Sequence, residues 1–376
     1  MRIKNISCRK ILNSGAKWTI ETDIELEDGS IGIASIPGGI SKGEREVASL
    51  EPEKALENIE IIKDKLLDKN FTSQRQFDEF LIKLDATPDK SNLGGNTLLS
   101  LSIAFCKACA KSKKLETFEY IHTITEPEIS LDEITFSMPQ MMVLIFEGGV
   151  HGSSGASIQE FMVVVNTVDE GTNIYNNVKN ALHEMGKSTN VGAEGAFSPE
   201  GFDNFKTLKF LNAHIGGAKI ALDVAASEIK DASMIPDYET MLDVFPIVSI
   251  EDPYSENDWS GWENFSREYK SKINVVTDDL TTTNIKTLRE AIQRGVGNAI
   301  IIKPNQIGTV TETLDVILEA QEASWKVVIS HRGTDTNDDF IADLAIGTKT
   351  DYTKFGAPSR GERVAKYNRL MEITNS

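Results

Sequence analysis

The stretch Phe245-Pro-Ile-Val-Ser-Ile-Glu251-Asp252 decides the fold when it is read against its neighbours. An apolar, β-favouring run ends abruptly in acids. The same design recurs on both sides. Lys219-Ile-Ala-Leu ends at Asp223, Ile273-Asn-Val-Val-Thr at Asp278-Asp279, Ala299-Ile-Ile-Ile at Lys303, and Lys326-Val-Val-Ile-Ser at His331-Arg332. The end groups Asp223, Glu251, Asp278, Lys303 and His331 follow one another at 28, 27, 25 and 28 residues, the length of a strand, a helix and their loops. Helical patterns fill the gaps, as in Ile285 to Arg294 and Val310 to Ala323. A βα unit repeated in this way predicts a parallel sheet, most simply a (β/α)8-type barrel.

Chemistry in such barrels sits at the C-terminal ends of the strands. Three carboxylates, a lysine and a histidine would then converge on one mouth. Carboxylates on adjacent strand ends repel one another unless a cation lies between them, and oxygen donors without cysteine select Mg²⁺, Mn²⁺ or Ca²⁺. A lysine on the next strand would feel the metal and partial desolvation, both of which lower its pKa towards that of a general base. Taken singly, each of these residues could equally be a solvated strand-end charge; five in succession at one interval point to a site. Further candidates precede them. Phe146-Glu-Gly-Gly-Val-His151 closes an apolar run, Gln159 and Glu160 open another, and Glu194 lies in the glycine-rich loop Val191-Gly-Ala-Glu-Gly-Ala196.

Upstream, the chain changes character near residue 137, which sets expected domains at 1–136 and 137–376. In the first, Trp18 to Leu26 alternates apolar and polar residues, Asp28-Gly29 signals a hairpin, and Ile31, Ile33 and Ile36 resume a strand pattern. Helices follow: Phe77, Phe80, Leu81 and Leu84 share one face of the second, and the third runs from about Asn96 to Lys111. Three antiparallel strands followed by helices make an α+β domain. The third helix holds Cys106-Lys-Ala-Cys109; with no second CxxC and no histidine pair, these read as small core residues rather than metal ligands. Trp259 and Trp262 likewise read as packing anchors.

Composition narrows the partners. The 376 residues carry 57 acids against 39 lysines and arginines, a formal charge of −18, which argues against a nucleic-acid backbone as ligand. No apolar run is long enough for a membrane helix, and the N-terminal MRIKNISCRKIL lacks the core of a signal peptide. Three cysteines form no disulfide framework, so a cytoplasmic location is expected. The glycine-rich loop at 38–43 lacks GxxxxGK[ST], and no GxGxxG follows a strand, so no nucleotide site is signalled.

Taken in order, the motifs resemble those of the enolases (phosphopyruvate hydratases), as a divergent and shortened member. The resemblance rests on Ile36-Pro-Gly-Gly-Ile-Ser-Lys-Gly-Glu44, Leu84 to Asn96, Gln159-Glu-Phe-Met162 and Leu222-Asp-Val-Ala-Ala-Ser-Glu228. It continues through Ser249-Ile-Glu-Asp-Pro253, Asp278-Asp-Leu280, Lys303-Pro-Asn-Gln-Ile-Gly-Thr309, Ser330-His-Arg332, Ile341-Ala-Asp-Leu344 and Ala365-Lys-Tyr-Asn368. It implies a Mg²⁺-dependent, reversible dehydration of 2-phosphoglycerate to phosphoenolpyruvate, a step of glycolysis. Asp223, Glu251 and Asp278 would hold one Mg²⁺. A second, arriving with substrate, would bind Ser41 of a mobile loop. Lys303 would abstract the proton, and Glu194, supported by Glu160 and holding a proton itself, would act as acid. Arg332 would grip the phosphate; His151, Gln159, His331, Lys354 and Ser41 would complete the substrate and proton network.

The departures are specific. Gly38, Ile40 and Lys42 alter the mobile loop, Ala193 stands where the family has the Asp of GDEGG, and Gly333 replaces a serine beside the phosphate grip. Asn13-Ser-Gly-Ala-Lys-Trp18 replaces a contact motif of the family's homodimer, so a dimer is expected on an altered contact. Two other functions remain open on the sequence. One is a paralogue acting on a related phosphorylated or phosphonylated acid. The other is a non-catalytic binding protein on the same scaffold, which would be expected to have lost some of these ligands.

Overall fold

The computed structural model describes all residues except 40–42, 44, 68, 153, 154 and 376, and the side chains of 232 and 375. Near the N-terminus, β1 (Ile3–Leu12), β2 (Trp18–Leu26) and β3 (Ile31–Ser35) form an antiparallel sheet in the order β1-β2-β3. The alternation along β2 does what a period of two requires: Ile20, Ile24 and Leu26 are buried. Four helices follow, α1 (Pro52–Leu67), α2 (Gln74–Asp85), α3 (Gly95–Ser112) and α4 (Thr117–Thr125). α3 is apolar almost all round because it is enclosed, with β2 and β3 on one side and other helices around it. Gly32 permits this: a Cβ there would lie 2.0 Å from the Ala104 carbonyl oxygen, so only glycine lets β3 rest on α3. Cys106 and Cys109 are buried on α3, and burial pushes the Cys109 thiol up to about 12, as expected of inert core residues. Trp262 is buried as well.

The remaining strands close into a barrel. They are β4 (Gln140–Glu147), β5 (Glu160–Val165), β6 (Lys219–Asp223), β7 (Ile247–Glu251), β8 (Asn274–Thr277), β9 (Ala299–Ile302), β10 (Lys326–Ser330) and β11 (Tyr352–Lys354). They neighbour one another in chain order, and β11 closes on β4. The all-parallel expectation needs one correction. β5 runs antiparallel to both β4 and β6, while the other pairs are parallel. Among its described residues, the connection from β4 to β5 holds no helix long enough for a crossover, so the chain doubles back. The reversal has a functional result. The first residue of β5, rather than its last, now lies at the barrel mouth.

Barrel and N-terminal region are joined by buried polar contacts. Asp78 of α2 accepts from the Thr311 N–H at 2.8 Å, from Ser102 at 2.6 Å and from Gln74 at 3.1 Å. Lys107 of α3 donates to Asp338 at 2.9 Å, and Asp338 also accepts from the Ser35 N–H at 2.9 Å. Among the described residues, no helix is long and apolar enough to cross a membrane.

Candidate active site

Four carboxylates form a row across four adjacent strands. Glu147 lies opposite Glu160, Glu160 opposite Asp223, and Asp223 opposite Glu251. Residues directly paired in neighbouring strands point to the same face, so the row is a consequence of register. All four are at most 4% exposed. So many buried acids cannot all stay ionised without cations, and the chain supplies one from the far side of the barrel closure. Lys354, at the end of β11, places Nζ 2.8 Å from Asp223 Oδ2, 2.8 and 2.9 Å from the Glu251 oxygens, and 3.3 Å from Glu160 Oε2. Burial alone would lower the Lys354 pKa, but these three carboxylates outweigh it and hold the ammonium well above its ordinary value.

Lys303, just past β9, pairs with Asp278 just past β8, and Gln306 donates to the other Asp278 oxygen at 3.2 Å. The expectation of a lowered Lys303 pKa is not met in this arrangement. Burial acts in that direction, but the Asp278 carboxylate beside it reverses the shift and raises it. Asp252 organises the same corner through its side chain, which accepts the N–H groups of Asp278 and Asp279 at 3.0 and 2.9 Å.

Opposite this acidic corner lies a histidine pair around Glu194. His331 Nε2 is 3.1 Å from Glu194 Oε2, and His151 Nδ1 is 3.9 Å from Glu194 Oε1. Burial pushes the His331 imidazole down to about 4, leaving it neutral near pH 7. Burial would raise the Glu194 carboxyl, but His331, His151 and Arg363 more than offset it and hold it below the usual range. The expectation of a protonated Glu194 is therefore reversed. The raised carboxyl is its neighbour Glu160, pushed up by burial and then by Glu194 and Asp223.

Arg332 faces away from this pair and meets the N-terminal region. Its Nη1 and Nη2 lie 3.1 and 3.2 Å from the two oxygens of Glu46, a carboxylate in a fork that suits any planar oxyanion. The turn that carries it is fixed from behind by Arg363, buried on the C-terminal helix, which donates to the carbonyls of Arg332 and Gly333 at 2.6 and 2.7 Å.

The cleft is lined by His151, Gln159, Glu160, Glu194, Asp223, Asp278, Lys303, His331, Arg332 and Lys354, so the sequence-derived set is gathered in one place. Glu251 lies behind Lys354, and Ser41 falls outside the described residues, as do Ile40 and Lys42. The expected trio Asp223, Glu251 and Asp278 is split between the two lysines. Among the described residues, the sets whose donor atoms all lie within 4.8 Å of one another are His151, Glu160, Glu194 and Asp252, Asp278, Asp279. Glu46, Gln306, Asp252 and Asp279 line the cleft as well, beyond the candidates drawn from the sequence; the last three lie inside the motifs quoted above. The turns at the mouth hold non-glycine residues in the left-handed region: Ala225 at φ 47°, Asp252 at 44°, Thr282 at 46° and Thr283 at 50°.

A hard divalent cation fits this donor chemistry. Asp223 and Glu251 already cradle an ammonium at hydrogen-bond distance, and all the acids of the row offer oxygen. Comparison with known proteins gives the same direction. Residues 3–121 match the family model described as enolase, N-terminal domain, and residues 135–234 and 229–376 match that of the enolase C-terminal TIM barrel domain. The enolase of Elusimicrobium minutum (strain Pei191) is 38% identical over 407 aligned positions, covering 99% of this chain and 95% of that protein. Matches on both halves of the chain, joined to a mouth in which the family motifs converge, place the chain in the enolase family.

Proposed function

We propose that this chain dehydrates 2-phosphoglycerate to phosphoenolpyruvate in a Mg²⁺-dependent, reversible lyase reaction, in the cytoplasm and as a step of glycolysis. The observation that carries this reading is the Lys354 ammonium seated between Asp223 and Glu251, beside Lys303 and across the cleft from Glu194. It marks a place built for positive charge next to an amine that can take a proton. In the proposed division, residues 1–136 cover the mouth and residues 137–376 form it.

Asp223, Glu251 and Asp278 would hold the first Mg²⁺, and Ser41 the second. Bound there, Mg²⁺ supplies stabilisation for the charge that develops at the substrate carboxylate, in the lysine-base scheme established for this superfamily. The chain's own residues do the rest. Lys303 Nζ removes the proton next to the carboxylate, which requires Asp278 to turn from the amine and release the charge that now raises its pKa. On the other side, Glu194 hands a proton to the departing hydroxyl. Glu160, whose pKa is raised and whose carboxyl lies within 4.8 Å of Glu194, is a source from which Glu194 can be recharged. His331 and His151 fix the Glu194 carboxyl, Gln159 lines the acid side, and Arg332 exchanges Glu46 for the substrate phosphate.

A spectrophotometric assay tests this. Phosphoenolpyruvate should form from 2-phosphoglycerate with Mg²⁺ and stop when the metal is chelated; no product at any Mg²⁺ concentration would reject the reading. Gly333 in the cleft wall beside Arg332 favours one second reading, a related phosphorylated or phosphonylated acid as substrate. That reading expects Mg²⁺-dependent exchange of an α-proton on such an acid, with poor turnover of 2-phosphoglycerate.

A further inference from the structure

One member of the carboxylate row has no part in this scheme. Glu147, the last residue of β4, is fully buried, and its Oε1 accepts two backbone N–H groups, from Glu194 at 3.0 Å and from Ala196 at 2.8 Å. The backbone of the same residue is tied to the same loop, with the Glu147 N–H donating to the Phe197 carbonyl at 2.9 Å. Three hydrogen bonds from one residue therefore fix the segment that carries Glu194. The other carboxyl oxygen is packed close as well. A Cβ on Gly192 would come within 2.4 Å of Glu147 Oε2, so the glycine of this loop is what admits the carboxyl group.

We propose that Glu147 is a positioning residue, which holds Glu194 in register for proton transfer by clasping the peptide N–H groups of Glu194 and Ala196. The proposal rests on the reading of Glu194 as the proton donor. Its physical basis is tolerance: a shift of about 1 Å in a reacting group can cost about 100-fold in rate. The Ala357 N–H holds the Glu194 carbonyl at 3.1 Å and the Tyr175 hydroxyl holds the Gly195 carbonyl at 2.7 Å, whereas the Glu147 carboxyl holds the N–H of Glu194 itself and that of Ala196. A carboxyl group does something an amide cannot. Burial, then the charge of Glu194, push its pKa up to about 8, against the two N–H bonds and Arg363. The groups facing it are Glu194 on its loop, Glu160 across the strand pair, Tyr175 from the helix outside, and Arg363 from the C-terminal helix, with His151 3.9 Å from Glu194. Below about pH 8 the clasp is neutral and adds no second charge beside Glu194; above it, it does.

Two variants and one titration test this. Glu147→Leu removes the acceptor and leaves both N–H groups without it, so kcat should fall by about 10- to 100-fold while KM stays within about 3-fold. Glu147→Gln keeps an acceptor oxygen and should recover at least about 10-fold of that loss, with the wild-type inflection of the kcat–pH profile near pH 8 abolished. In wild-type protein labelled with ¹⁵N, the Glu194 and Ala196 amide resonances should titrate together near pH 8, and neither should do so in Glu147→Gln. Unchanged kcat in a folded Glu147→Leu, or no recovery in Glu147→Gln, overturns the proposal. If the leucine variant does not fold, the amide titration decides alone, and its absence in the wild type overturns the proposal equally. A wild type that leaves 2-phosphoglycerate unchanged rejects the reaction and not the clasp, which the amide resonances still report.

Discussion

Asp78 on α2 and Glu251 at the end of β7 are both carboxyl groups almost fully removed from water, and their surroundings could hardly differ more. Asp78 is met by neutral donors, the Thr311 N–H, the Ser102 hydroxyl and the Gln74 amide; the first ties α2 to the barrel, the second ties it to α3, and the third lies within α2. Glu251 is met by an ammonium, and its neighbours in the row are further acids. Neutral partners satisfy a buried carboxyl in place and make it a fastener. Charged partners leave it dependent on whichever cation is present, so it responds when that cation is exchanged. Burial by itself says nothing about function; the charge of the partner does.

The sharpest way to break the contrast is Lys303→Ala. In the functional region the loss should appear chiefly in chemistry, with kcat per folded molecule down by about 10³- to 10⁴-fold; normal turnover would remove Lys303 from the role of base. Asp78→Ala should do the reverse. It leaves three buried donors without their acceptor and should cost about 4 kcal/mol in urea denaturation at pH 4, with kcat per folded molecule preserved. Loss of activity without loss of stability there would dissolve the distinction.

The pH dependence of that cost sharpens it further. Burial raises the Asp78 pKa from 3.8 to about 6, so the fold holds this proton more tightly than the unfolded chain does. The resulting stability is complete below about pH 4 and is lost as the pH rises through about 6, a change on the order of 3 kcal/mol. The stability gap between wild type and Asp78→Ala should therefore narrow between pH 4 and pH 7; a gap that widens would show the carboxylate, not the acid, to be the favoured form. The smallest effect expected is that of Glu251→Gln on Mg²⁺ binding, a weakening of at least about 10-fold by calorimetry. Equal affinity in the variant would take Glu251 out of the cation seat.

The same contrast explains what could be read from sequence. The barrel was legible because each of five strands ends in a charged group or histidine at a nearly constant interval; Asp223, Asp278, Lys303 and His331 meet at one cleft, with Glu251 behind Lys354. The direction of β5 was not, since Phe161 to Val165 is apolar throughout and an unbroken apolar run has no polarity along the chain. Glu160 was singled out by its place before that run, but its arrival at the mouth depends on the reversal. Glu46, Asp78 and Glu147 were passed over for a common reason. A single acid in a helix, in a loop or at a strand end reads as a solvated charge until the fold shows it enclosed, and enclosure is decided by segments hundreds of residues away, such as Thr311 for Asp78 and Arg332 for Glu46.

The left-handed turns at Ala225, Asp252, Thr282 and Thr283 give the mouth a mechanical character of its own. A side-chain-bearing residue in that region costs on the order of 1 kcal/mol or more, and a threonine more than most. Each of these turns would relax on opening, so the segments after β6, β7 and β8 should be among the first of the barrel to exchange their amide hydrogens. Where the side chain of these residues makes no hydrogen bond, as at Ala225, selection for heat resistance alone would favour glycine. Their persistence would place the mouth among the parts of the molecule held taut for use rather than for endurance.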